Sequence, residues 1–565
     1  MKSLGTLLLL SCCLAVLSGC DAATGGNGSP LSNVQLTVKV SGPGKGTIIS
    51  NPSGITCTSG TCSARFPAGT AVTLSAEPSG NSRFVKWDAA CSGSEQTCQL
   101  TLTTDQSVAA EFTKEKKGGG DISAINHIIF MLQENRSMDH YFGHLPDYWQ
   151  AHNYPQLTNG THFDAEPLHA SNPTADGSSS ITAFHLNAMC LENPSPSWNE
   201  SHSDWNLRDV YSTNPEMNGF VHTAAGQTNQ AGPLKGQPYF DKAGARVMGY
   251  YNGEDLNYYY FMASNFGTSD RWFAPVMSRT QPNRMFLMAG TSAGHVYPIP
   301  PVGGKPLPNK TIFEALDQHN ISWKVYVTDY VGGNPNSPEN YLTMFSYYYR
   351  NPAVRSKVVP VAEYKLDVAN GTLPQVAMIE GGYSSGSDEH PCGDDTAPSG
   401  NVQGGATYVS SLINALMQSP SWKDSVFILS WDEGGGFYDH VPPFKTVSPD
   451  NVKPLDLRPT DICMRPDGSL NPSPVCDFKY TGFRVPLIVV SPFSKKNYVS
   501  NTPADYTAIL KLIETRFGLD PLTKRDAAQP DMTEFFDFEK MPWETPPAPP
   551  AQVRFPGRCY LNHLP

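Results

Sequence analysis

The sequence carries little charge for its size. Only 16% of its 565 residues are Asp, Glu, Lys or Arg, and the balance is acidic, 52 against 40, for a net charge of −12. A general nucleic-acid binder needs a basic patch to replace phosphate counterions, so this balance argues against one and no nucleic-acid partner is expected. Beyond the first twenty residues no stretch is long and apolar enough to span a bilayer. The cysteines form no CxxC…CxxC pattern, which leaves structural zinc without its usual ligand spacing. What is there, 39% hydrophobic and 11% aromatic residues, suits a globular chain of two or three domains with at least one sizeable core.

The amino terminus reads as an address. Lys2 precedes an apolar run from Leu7 to Val16, too short to cross a membrane and laid out like a signal peptide. Leu17-Ser18-Gly19-Cys20 resembles a bacterial lipobox, which implies cleavage of residues 1–19 and acylation of Cys20. The expected product is exported and lipid-anchored to the cell-envelope membrane, on its periplasmic or surface side. Asp21 resembles the inner-membrane retention signal of enterobacterial lipoproteins. Cysteine usage agrees with export, since disulfides persist in oxidising compartments. Cys57–Cys62, Cys91–Cys98 and Cys463–Cys476 are close enough in sequence to form local staples, and Cys190, Cys392 and Cys559 leave one over.

Composition divides the rest. Residues 20–32 form a Gly/Ser-type tether with a reach of roughly 20 Å. Residues 33–113 alternate apolar and polar positions in short segments (VQLTVKVSG, GTAVTLSAEP, QTCQLTLTT) punctuated by Gly, Pro and Ser, which predicts a small all-β module. The segment resembles a divergent internalin-type B repeat, running from the Gly42–Gly46 turn through Trp87 to Phe112, and the resemblance implies a spacer or adhesive module without chemistry. Residues 114–120 (KEKKGGG) are a linker. From 121 to 565 the pattern is α/β. Buried strands are expected at 127–133, 323–329, 375–380, 426–431 and 485–491, with amphipathic helices at 310–320, 407–417 and 504–518. Such alternation makes a mostly parallel sheet covered by helices, with ligands at the carboxyl ends of its strands. The insertions at 150–250 and 440–480 are expected to roof that edge as loops, and the Pro-rich 541–550 to wrap the surface.

Two strand ends carry chemistry. HIIFMLQ runs into Glu134-Asn135-Arg136-Ser137, and VFILSW into Asp432-Glu433 followed by three glycines. Carboxylates and an amide oxygen converging there make a hard-cation site for Mg²⁺, Ca²⁺ or Mn²⁺. Asp and Asn also serve as ordinary helix caps, and spacing leaves both roles open. Thr280, in SRTQPNR ahead of MFLMAG, is either an N-cap or a nucleophile at a helix start.

The blocks HIIFMLQENRSMDHYFG, DRWFAPVMSRTQPNR, SDEHP, SWDEGGGFYDHVPP and FRVPLIVVSPFSKKNYVS resemble, in order, the bacterial phospholipase C and acid phosphatase family, related to the plant non-specific phospholipases C. The resemblance spans about 125–537 and implies an alkaline-phosphatase-like fold. It implies that Glu134, Asn135, Thr280, Asp432 and Glu433 hold a divalent metal and that Thr280 attacks phosphorus. His390 is implied as an active-site histidine, with Asp388 of the same block and His440 of YDHVPP as possible supporting residues.

One departure matters. Relatives carry His-Asp-Trp or His-Ser-Trp where this chain has Pro196-Ser197-Trp198, so His202 is the candidate to take over that role. The extra carboxyl-terminal β domains of some secreted phospholipases C are not expected either. The implied activity is phospholipase C-like hydrolysis of phosphodiesters, with a phosphate ester or phospholipid as substrate. The alternatives are an acid phosphatase acting on monoesters and, from another class, an inactive surface adhesin.

Overall fold

The computed structural model describes residues 32–79, 82–114, 121–155, 162–228, 240–299, 305–330, 340–391 and 400–555. Cys20, Cys392 and Cys559 lie outside them. The chain divides into two compact units, residues 1–117 and 118–565.

The first unit is all β. One sheet pairs Thr61–Pro67, Asn33–Ser41, Gln106–Lys114 and Ser82–Ala89 in that order; the other pairs Thr56–Cys57, Gly46–Asn51, Thr70–Pro78 and Thr97–Leu102. Alternating residues point inward, so Leu36, Val38, Ile48, Leu74, Trp87 and Phe112 make one core, with Phe84 packed edge-on to Phe112. Burying a side chain of this kind is worth about 1.5–3 kcal/mol. The Cys57–Cys62 and Cys91–Cys98 disulfides form as the spacing predicts.

The second unit is built on an eight-stranded sheet. In spatial order its strands are Val358–Pro360, Trp323–Val327, Val376–Glu380, His127–Gln133, Ser425–Trp431, Leu487–Val490, Gly267–Ser269 and Tyr498–Ser500. All neighbours run parallel except Leu487–Val490, which is antiparallel to both of its partners. The central strands are buried on both faces, which explains their unbroken apolar runs. The helices Ile312–Gln318 and Ala508–Phe517 fall within the segments where periodicity places them, and Val402–Met417 begins five residues before its own.

The long insertion at 150–250 is more ordered than a loop. It contains the fully buried helix Trp198–Trp205, the short helix Phe220–Ala224 and small two-stranded pairings. The Cys463–Cys476 disulfide staples the other insertion, and Cys190 is disulfide-bonded too. The Pro-rich tail lies against the body: Trp422 Nε1 donates to the Trp543 carbonyl at 3.0 Å and Asn257 Nδ2 to that of Ala551 at 2.9 Å.

Candidate active site

Three adjacent strands deliver acidic groups to one edge. Glu380 ends the strand Val376–Glu380, Glu134 follows His127–Gln133, and Asp432 and Glu433 follow Ser425–Trp431. Register sets Glu380 beside Leu132 and Trp431 beside Gln133, so these carboxylates arrive within a few residues of one another. Arg284 gathers three of them. Its Nη2 donates to Glu134 Oε1 at 3.2 Å, Nη1 to Glu380 Oε2 at 3.0 Å and Nε to Asp432 Oδ2 at 3.4 Å. The Tyr341 hydroxyl also donates to Glu134 Oε1, at 3.2 Å.

Backbone bonds close the corner. The Asn135 N–H donates to Asp432 Oδ1 at 3.2 Å, and the Asp432 N–H to the Gln133 carbonyl at 3.0 Å. Asn135 adopts φ 64°, in the left-handed region that Asn tolerates. Opposite it, Gly435 has φ 72°, and a Cβ there would stand 2.4 Å from the Asn135 carbonyl oxygen. Only glycine fits.

Charge in this corner does not balance. Arg284 already faces Glu134, Glu380 and Asp432, while Asp388 and Glu433 have no ion pair among the described residues. Burial, then the Asp432 charge, holds the Glu433 carboxyl well above the usual range; burial, then Glu134, does the same for Asp388. Asp432 is pushed up to about 7 by burial and Glu134, against the pull of Arg284. Asn135 Oδ1 and Glu433 Oε1 are buried and accept no hydrogen bond among the described residues. An unpaired buried acceptor costs about 1–3 kcal/mol. Oxygen donors, excess negative charge and unused lone pairs together fit a hard divalent cation.

The helix Thr280–Ala289 begins at the same edge. Asn283 organises its first turn: Oδ1 accepts from the Val276 N–H at 3.1 Å and Nδ2 donates to the Ser278 carbonyl at 2.8 Å. Gln281 Oε1 accepts from the Ile299 N–H at 3.0 Å. Thr280 and Arg284, four residues apart, share one helix face. The Thr280 hydroxyl is half-buried and makes no hydrogen bond among the described residues. Arg279 forms no ion pair among them, and its charge is felt by Glu433, His390 and Glu200.

The SDEHP loop docks onto the Glu134 segment. The Glu134 N–H donates to the Asp388 carbonyl at 2.7 Å, Gln133 Nε2 to that of Ser387 at 2.9 Å and Arg136 Nη2 to that of Glu389 at 2.6 Å. His390 Nδ1 lies 2.7 Å from the Pro391 carbonyl. A carbonyl only accepts, so Nδ1 carries the proton and Nε2 is the basic nitrogen of the neutral ring, with no hydrogen bond among the described residues. Burial lowers the His390 pKa, with the Glu134 charge acting in the other direction.

Residues 125–520 match the phosphoesterase family model. The chain belongs to the phosphoesterase family. Residues 36–116 match the divergent InlB B-repeat domain. Non-specific phospholipase C1 of Arabidopsis thaliana is 29% identical over 479 residues, covering 81% of this chain and 79% of that protein. Phospholipase C B of Mycobacterium tuberculosis is 28% identical over 451 residues, covering 75% and 80%. A solved protein in the alkaline phosphatase superfamily from Vibrio parahaemolyticus overlaps 69% of this chain and 78% of its own at 12% identity and a TM-score of 0.28. The protein is thus a phosphoester hydrolase with an N-terminal B-repeat module.

Two histidines of this phosphoesterase stand apart from the acidic corner. His202 is fully buried, its ring tilted against Trp198 with centroids 4.1 Å apart, with Nδ1 2.7 Å from the Trp198 carbonyl and Nε2 3.0 Å from that of Val475. Neither nitrogen is left for a substrate, which corrects its expected catalytic role: packing of the Trp198–Trp205 helix turns it away, and Glu200 is the residue there that senses Arg279. His440 belongs to a separate network. Its Nδ1 bonds Asp139 Oδ2 at 2.7 Å and its Nε2 Asp164 Oδ1 at 3.3 Å. Asp139, Asp439 and His440 offer ligand atoms within 4.8 Å of one another, spacing that could hold an ion. Arg484 already supplies positive charge there, with Nη2 2.8 Å from Asp139 and 2.9 Å from Asp439.

Sequence reasoning missed Arg284, Arg279, Glu380 and Tyr341. Glu380 had a signal, an acid closing an otherwise apolar strand. Arg284 had one too, four residues from Thr280 on a helix; Tyr341 had none.

Proposed function

We propose that this phosphoesterase cleaves phosphodiesters of the phospholipid head-group kind, with Thr280 as nucleophile. The observation that carries the reading is an uncommitted hydroxyl at a helix start, one turn from the arginine that gathers Glu134, Glu380 and Asp432. Thr280 Oγ1 attacks phosphorus, the bond to the leaving alcohol oxygen breaks, and His390 Nε2 takes the hydroxyl proton and returns it to that oxygen. The phosphothreonine diester then yields to water, releasing a phosphomonoester and restoring Thr280. Arg279, without an ion pair of its own among the described residues, is the cation for the phosphoryl oxygens. Glu134, Asn135, Asp432 and Glu433 would hold a divalent metal, with Thr280 as its fifth oxygen. Such an ion lowers the pKa of a bound hydroxyl and neutralises phosphoryl charge.

The names of the relatives, phospholipases C of a plant and a bacterium, favour diesters over monoesters. The leader and the disulfides support an exported enzyme anchored through Cys20, beside its membrane substrate. Parallel assays on p-nitrophenyl phosphorylcholine and p-nitrophenyl phosphate test the substrate class. Faster turnover of the diester is expected; a strong preference for the monoester would overturn the diester reading and leave the site intact.

A further inference from the structure

Glu389 takes no part in the chemistry above, yet the inside of the molecule converges on it. It is fully buried and adopts φ 70°, a conformation that costs a non-glycine residue about 1–3 kcal/mol unless its surroundings fix it. Its Oε1 accepts from the Tyr259 hydroxyl at 2.6 Å and Gln133 Nε2 at 3.3 Å. Its Oε2 accepts from the Tyr141 hydroxyl at 2.7 Å and Trp431 Nε1 at 3.1 Å. Burial first, and the Glu389 charge after it, raise both phenols far above their ordinary pKa, so both keep the protons they donate.

The donors define what is being tied. Gln133 and Trp431 are the last residues of the strands that deliver Glu134 and Asp432. Tyr141 and Tyr259 come from the helices Met138–Phe142 and Asn257–Asn265. Glu389 itself lies between Asp388, whose carbonyl receives the Glu134 N–H, and His390. The helix Val402–Met417 makes room for the side chain: a Cβ on Gly405 would stand 2.1 Å from Glu389 Cγ. A carboxylate with acceptors on both oxygens is the group that can satisfy four convergent donors at once.

We propose that Glu389 is a positioning residue, an internal clamp that fixes the SDEHP loop against the two strand ends and so aims His390 at the reacting centre. It acts through His390 and touches no substrate, and it rests on the role given to His390 above. Glutamine at this position would set two N–H donors among four others, so one side of the clamp would open.

A double-mutant cycle tests this, using the full chain with p-nitrophenyl phosphorylcholine or p-nitrophenyl phosphate, whichever is turned over. Glu389→Gln should lower kcat about 10- to 100-fold with KM changed less than about threefold, the cost of a misaimed group. His390→Ala should lower kcat at least as far, and the double variant should match His390→Ala within about threefold. Multiplying losses in the double variant would overturn the clamp while leaving His390 in place. An undiminished kcat in His390→Ala would remove the His390 reading and the clamp with it. If Glu389→Gln does not fold, Tyr259→Phe removes one donor without altering charge and takes its place in the cycle. There the expected loss is about 3- to 10-fold, again absent on the His390→Ala background.

Discussion

Arg284 Nη2 donates to Glu134 Oε1 at 3.2 Å, joining a helix that starts with the uncommitted Thr280 to a strand that ends in acid. The same guanidinium serves Glu380 and Asp432, and its ring-facing side lies 4.7 Å from the centre of Tyr341. One cation thereby sets the spacing of the corner from the helix side.

Arg284→Met should destabilise the enzyme by about 3–5 kcal/mol, because it leaves Glu134, Glu380 and Asp432 buried without their counter-charge. Urea unfolding at pH 7.5 checks it. A loss under about 1 kcal/mol would mean the carboxylates are neutralised some other way.

Thr280→Ala should reduce turnover by at least about 1,000-fold while leaving the melting temperature nearly unchanged, since the hydroxyl makes no hydrogen bond among the described residues. Thr280→Ser should recover much of the activity. Steady-state kinetics with thermal scans on the same samples decide it, and unchanged turnover in the alanine variant would exclude Thr280.

Stripping divalent ions with a chelator should abolish turnover and lower the melting temperature, and Mg²⁺, Ca²⁺ or Mn²⁺ should restore both. Glu433→Gln halves the unused oxygen donors, so its melting temperature should respond to added cation by less than half as much as the parent's. Equal responses in parent and variant would place any ion elsewhere, with Asp139, Asp439 and His440 next to be tried.

Glu514 supplies a pH dependence remote from the site. Burial, then the hydrogen bond and charge of Asp526, push it up to about 9. Folded protein keeps this proton to about that pH, whereas the unfolded chain gives it up near the ordinary value of 4.5. The group's stabilising effect is therefore fully present below pH 4.5 and is lost as pH rises toward 9, by at most about 1.4 kcal/mol per pH unit. Glu514→Gln should match the parent near pH 4.5 and exceed it at pH 8.5, measured by urea midpoints. A gain independent of pH would refute the titration.

Much of this was legible because the central strands are buried on both faces. HIIFMLQ, QVAMIE and VFILSW have to be continuous apolar runs, and a polar residue straight after such a run has to stand at the sheet edge. Local disulfides were legible for the same kind of reason: short spacing leaves few geometries. What stayed hidden depends on long-range packing. Tyr341 reaches Glu134 across 207 residues, and no periodicity encodes that. His202 looked available because a sequence cannot say which carbonyls surround a ring. The helix Val402–Met417 starts five residues earlier than its apolar pattern suggested, because Gly404 and Gly405 look like a loop until the side chain of Glu389 fills the space that Gly405 leaves.

The strand Leu487–Val490 runs against its neighbours, and this reverses the usual order of reading at the sheet edge. Elsewhere the chain leaves a strand and enters the catalytic rim; here it crosses the rim first, at Arg484, and then dives into the core. Extra residues spliced in just before Val485 would therefore push Arg484 off Asp139 and Asp439, while the same length spliced in after Val490 would emerge at the opposite end of the sheet, away from that pair of carboxylates.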